Sequence, residues 1–135
     1  MSRIENAKSY PLGMNTGDLE TAIAAFAENA SYYGIQKNDG RISRKLHEGK
    51  DAIRAYIGNW LETASGGITY EIINAREYGD AVLIEWRDSA SGTGERYENE
   101  GILLFEFDDQ DRILHARAYQ DFEPLQSTNW SFLDH

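Results

Sequence analysis

The chain has 135 residues, a net charge of −10 and a sequence pI near 4.6, with 41% apolar and 12% aromatic residues. That length is one domain with a real core. The negative field argues against nucleic-acid backbones and anionic lipid surfaces as partners. There is no cysteine, which excludes disulfides, thiolate metal sites and cysteine nucleophiles. No segment reaches the roughly 20 apolar residues of a membrane span, and the N-terminus lacks a signal-peptide apolar run, so the expected location is the cytoplasm.

Residues 4–15 read as a helix in which Pro11 must take a first turn or a kink. A second helix is predicted over residues 18–27, where Leu19, Ala22, Ile23 and Phe26 share a face and Asp18 can cap the start. Residues 30–36 look like a strand, Asn38-Asp39-Gly40 like a turn, and 41–47 like a short return strand. The basic cluster Arg41, Arg44, Lys45, Lys50 reads as a solvated loop. The clearest helix follows: Ile53, Tyr56, Ile57, Trp60, Leu61 and Ala64 form one apolar stripe, with Asp51 as a cap and Gly66-Gly67 as a stop. Four strand-like runs, 67–78, 81–90, 96–107 and 112–122, are separated by turn clusters at 78–80, 91–94 and 108–111. Turns so short join antiparallel neighbours. The expected fold is α+β: about three helices on a strongly curved, mainly antiparallel sheet, with a pocket at the concave end. The domain is expected over residues 1–123, with 124–135 a tail, docked through Trp130 and Phe132 or disordered.

Asp88 draws attention first. On the fourth predicted strand Val82, Ile84, Trp86 and Asp88 share the more apolar face, which should point inward. A carboxylate in line with that face is costly unless paired or protonated, and that cost points to function. Alternatively the strand has ended and Asp88 bonds the 89–94 turn. On the last strand, alternation leaves it open whether the set Ile113, His115, Arg117, Tyr119, Asp121 or the set Leu114, Ala116, Ala118, Gln120, Phe122 is buried.

The stretches GDLETAIAAFAENASYY, HEGKDAIRAYIGNWL, GDAVLIEWRD and GILLFEFDDQDRILHARAYQDF together resemble the SnoaL-like group of the nuclear-transport-factor-2-like superfamily, over about residues 10–123. The resemblance implies a cone-shaped fold, often paired into homodimers, with a hydrophobic pocket between helices and sheet. Relatives include polyketide cyclases, ketosteroid isomerases and limonene epoxide hydrolases. It implies a working aspartate at Asp121 and a substrate-orienting tyrosine at Tyr32. A helix tyrosine matches Tyr10, but Gly34 and Leu103 stand where a steroid isomerase carries its two acids. Against the epoxide hydrolases, Trp86 replaces the bridging arginine and Gly34 an asparagine.

The site expected from these readings has Asp121, paired with Asp88, as general acid and base, and Tyr32 orienting a substrate oxygen. Trp86, Trp60, Tyr10 and Tyr119 would form the binding wall for a small apolar or polycyclic molecule. The reaction would be an isomerisation, cyclisation, dehydration or hydrolysis without a cofactor. The alternative is a non-catalytic ligand-binding or dimerisation module. No metal site is expected: His47, His115 and His135 lack metal spacing. The Gly92-Thr93-Gly94 run lacks the rest of a dinucleotide loop, and Asp108, Asp109 and Asp111 the rest of a calcium loop.

Overall fold

The computed structural model of the chain describes residues 2–38, 41–64, 67–90 and 96–126. Helix α1 (Arg3–Thr16) begins where the Ser2 hydroxyl accepts the Glu5 N–H at 3.2 Å, and it ends at Gly17 in the left-handed region. Pro11 lies in its interior, not its first turn, and is buried. Its missing N–H removes one helical bond, and packing of Ala7, Tyr10 and Met14 into the core offsets that loss. Arg3 fastens the start of α1 to two sheet turns, bonding Asp111 at 2.7 Å and Asp80 at 3.1 Å.

Helix α2 (Leu19–Ile23) is capped by Asp18, whose carboxylate accepts from the Thr21 N–H at 3.2 Å. It is shorter than the helix expected over 18–27. Phe26 already opens strand β1 (Phe26–Asn38), because a buried Phe26–Ala27 step followed by alternation suits an inner strand better than a helix. Gly13 lets α1 and α2 touch: a Cβ there would stand 2.2 Å from the Ala22 backbone nitrogen.

Strand β2 (Arg41–Glu48) returns antiparallel to β1, so the basic cluster from Arg41 to Lys45 sits on an edge strand rather than in a loop. Helix α3 (Lys50–Thr63) buries the stripe Ile53, Tyr56, Ile57 and Trp60. Its N-cap is Gly49, not Asp51, and no side chain caps it. Strands β3 (Ile68–Tyr78), β4 (Ala81–Ala90), β5 (Arg96–Phe107) and β6 (Ile113–Gln126) form the expected meander. β6 runs four residues past the strand end expected at 122, and the residues of the tail from 127 onward lie outside the described ones.

The sheet order is β2-β1-β6-β5-β4-β3. Every pair is antiparallel except β1 with β6. A bulge at Ile73 bends β3, which carries the sheet's curl around the helices. The concave face holds the core: Val82, Ile84, Leu103, Phe105, Ile113, Ala116 and Ala118 are all fully buried against the helices. Each large apolar side chain there contributes roughly 1.5–3 kcal/mol before entropy. The convex face keeps Ile102, Tyr119 and Leu46 exposed. Among the described residues, no helix is long and apolar enough to cross a membrane.

Candidate active site

β4 places Asp88 on the concave face, in step with Val82, Ile84 and Trp86, as its alternation predicts. The strand runs on to Ala90, so Asp88 is held mid-sheet and is only 4% exposed. Its Oδ1 accepts from the indole Nε1–H of Trp86 at 3.0 Å, and its Oδ2 from the Tyr97 hydroxyl at 2.5 Å. Asn99 lies directly across on β5, and its amide favours the ionised form. Burial dominates these bonds: it pushes the carboxyl from its ordinary 3.8 up to about 6, against the downward pull of Tyr97, Trp86 and Asn99. Among the described residues no lysine or arginine pairs with it. Trp86 thus gives the carboxylate a neutral donor, where a cation would have held it ionised.

Around Asp88 the cone is lined by Tyr10, Tyr32, Trp60, Tyr70, Trp86 and Gln120, with Met14 below. Tyr70 stacks on Trp86 at 6.0 Å and 8°. Tyr10 and Tyr32 share a hydrogen bond of 3.4 Å. Burial lifts the phenols of Tyr10, Tyr32, Tyr70 and Tyr97 well above 10, and that of Tyr56 to about 12. At neutral pH they are therefore O–H donors and never phenolates. The room left between these side chains is about 10 Å³, the space of a single water.

Asp121 does not join Asp88. On β5 Asn99 and Glu100 point to opposite faces; Asp88 pairs with the first and Asp121 with the second. Asp121 is exposed on the convex face, as is Tyr119 at 46%. The expected Asp88–Asp121 acid–base pair is thereby overturned, and Tyr119 is removed from the pocket wall. Alternation on β6 buries the even set, Ala116 and Ala118, and brings Gln120, not Asp121, to the cavity. Arg117 follows Asp121 outward and pairs with Glu106 at 3.2 Å, and His115 bonds Ser31. A convex groove of about 500 Å³ includes Asp121, Glu71, Glu98, Glu100 and Arg87. Asp88 borders it only through its 4% of exposed surface, while both carboxyl oxygens are bonded inside.

Tyr32, Tyr10, Trp60 and Trp86 do line the chamber. Leu103 is fully buried core, and Gly34 faces inward with room for a methyl group, 3.7–3.8 Å from Tyr32, Gln120 and Tyr56. Sequence reasoning missed Tyr97, Asn99, Tyr70 and Gln120. The signal for two of them was present: Tyr97, Asn99, Gly101, Leu103 and Phe105 alternate as Asp88's strand does, with a polar residue on an apolar face. Among the described residues no group of three His, Asp or Glu could hold a metal ion.

A curved sheet closed by three helices is the architecture of the nuclear-transport-factor-2-like fold. The SnoaL-like domain family matches residues 7–116, and the chain belongs to that family. It is similar in structure to Bal32a, from a soil-derived mobile gene cassette, with a TM-score of 0.71 and 26% identity over 87% of this chain and 88% of that one. It is also similar to an epoxide hydrolase of Mycobacterium tuberculosis related to the limonene epoxide hydrolases, with a TM-score of 0.60, 25% identity and coverage of 88% and 82%. The epoxide hydrolase/cyclase-like enzyme SalBIII, of polyether salinomycin pyran-ring formation, shares the fold at 19% identity, a TM-score of 0.69 and coverage of 90% and 95%. No curated protein matches the chain.

Proposed function

We propose that the chain is a cofactor-independent acid–base enzyme acting on a small, mainly apolar molecule, with Asp88 as its single proton-transfer group. One observation carries the reading: a carboxyl 4% exposed that, among the described residues, accepts hydrogen bonds only from neutral donors, and that burial pushes up to about 6. A base poised there takes a proton readily at neutral pH and can return it. Neutral phenols nearby, Tyr10 and Tyr32 above all, would donate to an oxygen gaining negative charge in the same step. Trp86 and Tyr97 hold the carboxyl, and Trp60 and Tyr70 exclude water. The epoxide hydrolase and cyclase named among the structural relatives support an isomerisation, cyclisation or ring opening of this kind.

Two probes test it: deuterium exchange into cyclohexanone, and opening of cyclohexene oxide to its diol. The protein is expected to accelerate at least one over buffer. Asp88→Asn should lower that rate by roughly 10²-fold or more, and Asp121→Asn should leave it unchanged. No acceleration of either probe, or an undiminished rate in Asp88→Asn, contradicts the reading.

One observation favours a second reading, a dimerisation module with a filled interior. The chamber has about 10 Å³ of room, while the convex face carries Ile102 and Tyr119 as exposed cross-strand neighbours at 40% and 46%. Pairing of two copies through that face is compatible with either reading. It predicts a dimer in sedimentation equilibrium that Ile102→Glu converts to a monomer; a wild-type chain that is monomeric at 100 μM (a concentration of roughly that order suits a weak interface) contradicts it.

A further inference from the structure

The chamber has one polar atom whose chemistry its neighbours do not complete. Asn99 is 5% exposed, and its Nδ2 donates to Gln120 Oε1 at 2.9 Å. With Gln120 presenting its oxygen, this end of the side chain is the nitrogen. The other end, Oδ1, is buried and has no hydrogen-bond partner among the described residues. A buried acceptor left in this state costs roughly 1–3 kcal/mol. The phenols cannot all be its complement: one of Tyr10 and Tyr32 already donates to the other, and Tyr97 donates to Asp88.

An atom of this kind beside a perturbed carboxyl is a recognition feature. A hydrocarbon would leave Oδ1 unsatisfied. So would a ketone or an ether, which only accept. An O–H donor completes it. The neighbouring walls are otherwise aromatic, and Gly34 leaves room for a methyl group against Tyr32 and Gln120.

We propose that the Asp88 chamber is built for a small, mainly apolar molecule bearing a hydroxyl group, and that Asn99 selects it by accepting that hydroxyl's hydrogen bond at Oδ1. The proposal rests on the reading that this chamber takes a substrate. It adds the substrate's functional group and a positioning residue for it. The hydroxyl then lies next to Asp88, so the proton that Asp88 moves belongs to the hydroxyl itself or to a carbon near it.

Cyclohexanol and cyclohexanone test this, since they share a ring and differ in the donor. Affinities come from chemical-shift titrations of the full chain. Cyclohexanol is expected to bind at least about tenfold more tightly, the lower part of the range for a site that hydrogen-bonds its ligand's hydroxyl. Asn99→Leu should bring the two affinities together by weakening cyclohexanol alone, a ratio that a merely structural role would not move. Equal affinities in the wild-type chain, binding of neither ligand, or a preference that survives Asn99→Leu each overturns the proposal. The wild-type ratio decides even if the variant fails to fold. Equal affinities with an ordered water at Asn99 Oδ1 in a crystal structure would assign the acceptor to water instead. A hydroxyl preference that persists in Asp88→Asn alongside lost proton transfer supports this proposal and the catalytic one together. A preference without any Asp88-dependent rate sinks the catalytic reading and leaves this one standing.

Discussion

Replacing Asp88 by asparagine is expected to make the protein more stable at pH 7–8 while removing the proposed proton transfer. The carboxyl is raised from 3.8 to about 6 in the fold, chiefly by burial. Between about pH 4 and 6 the folded chain therefore holds a proton that the unfolded chain has released. Stability is highest below that window and falls as pH rises through it; above it no further loss occurs. The full difference corresponds to about 3 kcal/mol, at 1.36 kcal/mol for each tenfold change in proton affinity. Asparagine cannot ionise, so its stability should be flat across the same window. Its amide must place an NH₂ against Trp86 or Tyr97, although the Tyr97 hydroxyl can turn to accept. The net gain at pH 8 is accordingly about 1–3 kcal/mol, with a Tm several degrees higher. Urea titrations at pH 4, 5, 6 and 8 read this directly. A variant less stable than wild type at pH 8 would mean that the ionised carboxylate is net favourable, as in a structural network. A stability gain with lost activity is the trade expected of a group retained for its chemistry.

Gly101→Ala is expected to abolish the native fold or to destabilise it by roughly 3 kcal/mol or more. Gly101 sits between Trp86 on β4 and Gln120 on β6, two residues that line the chamber. A Cβ there would stand 2.0 Å from the Tyr119 carbonyl oxygen and 2.8 Å from the Gln120 Cα, both backbone, and 3.0 Å from the Trp86 ring. Backbone atoms in a central sheet do not move out of the way cheaply, so β5 and β6 must separate. Circular dichroism and urea midpoints check this. A folded Gly101→Ala chain with an unchanged midpoint would show that this strand junction has slack. The same substitution at Gly34, where the nearest atoms stand at 3.7–3.8 Å, meets only ordinary contact, which makes the two glycines a matched contrast.

The strands of the meander and the stripe of α3 were legible because each carries a strong period: two for β4, where Val82, Ile84, Trp86 and Asp88 face inward, and 3.6 for Ile53, Tyr56, Ile57 and Trp60. Asp88 was legible for the same reason. Asp121 was not, because both faces of β6 mix polar and apolar residues, and the choice between them is made by register with β5 and β1 rather than by the strand itself. The second helix was overextended because Phe26 fits a helical face and a buried strand equally well, and the parallel pairing of β1 with β6 decides for the strand. Asn99 and Gln120 become a site only when three strands come into register around Gly101. No single segment encodes that juxtaposition.

The account turns on the protonation of one side chain, and ¹³C NMR of the aspartate carboxyls, with Asp88 assigned by its loss in Asp88→Asn, measures it without a substrate. A midpoint near 6 for Asp88 is the predicted result. A midpoint at or below the ordinary aspartate value of about 4 would mean that Trp86, Tyr97 and Asn99 outweigh burial, and Asp88 would then be a structural carboxylate rather than a base.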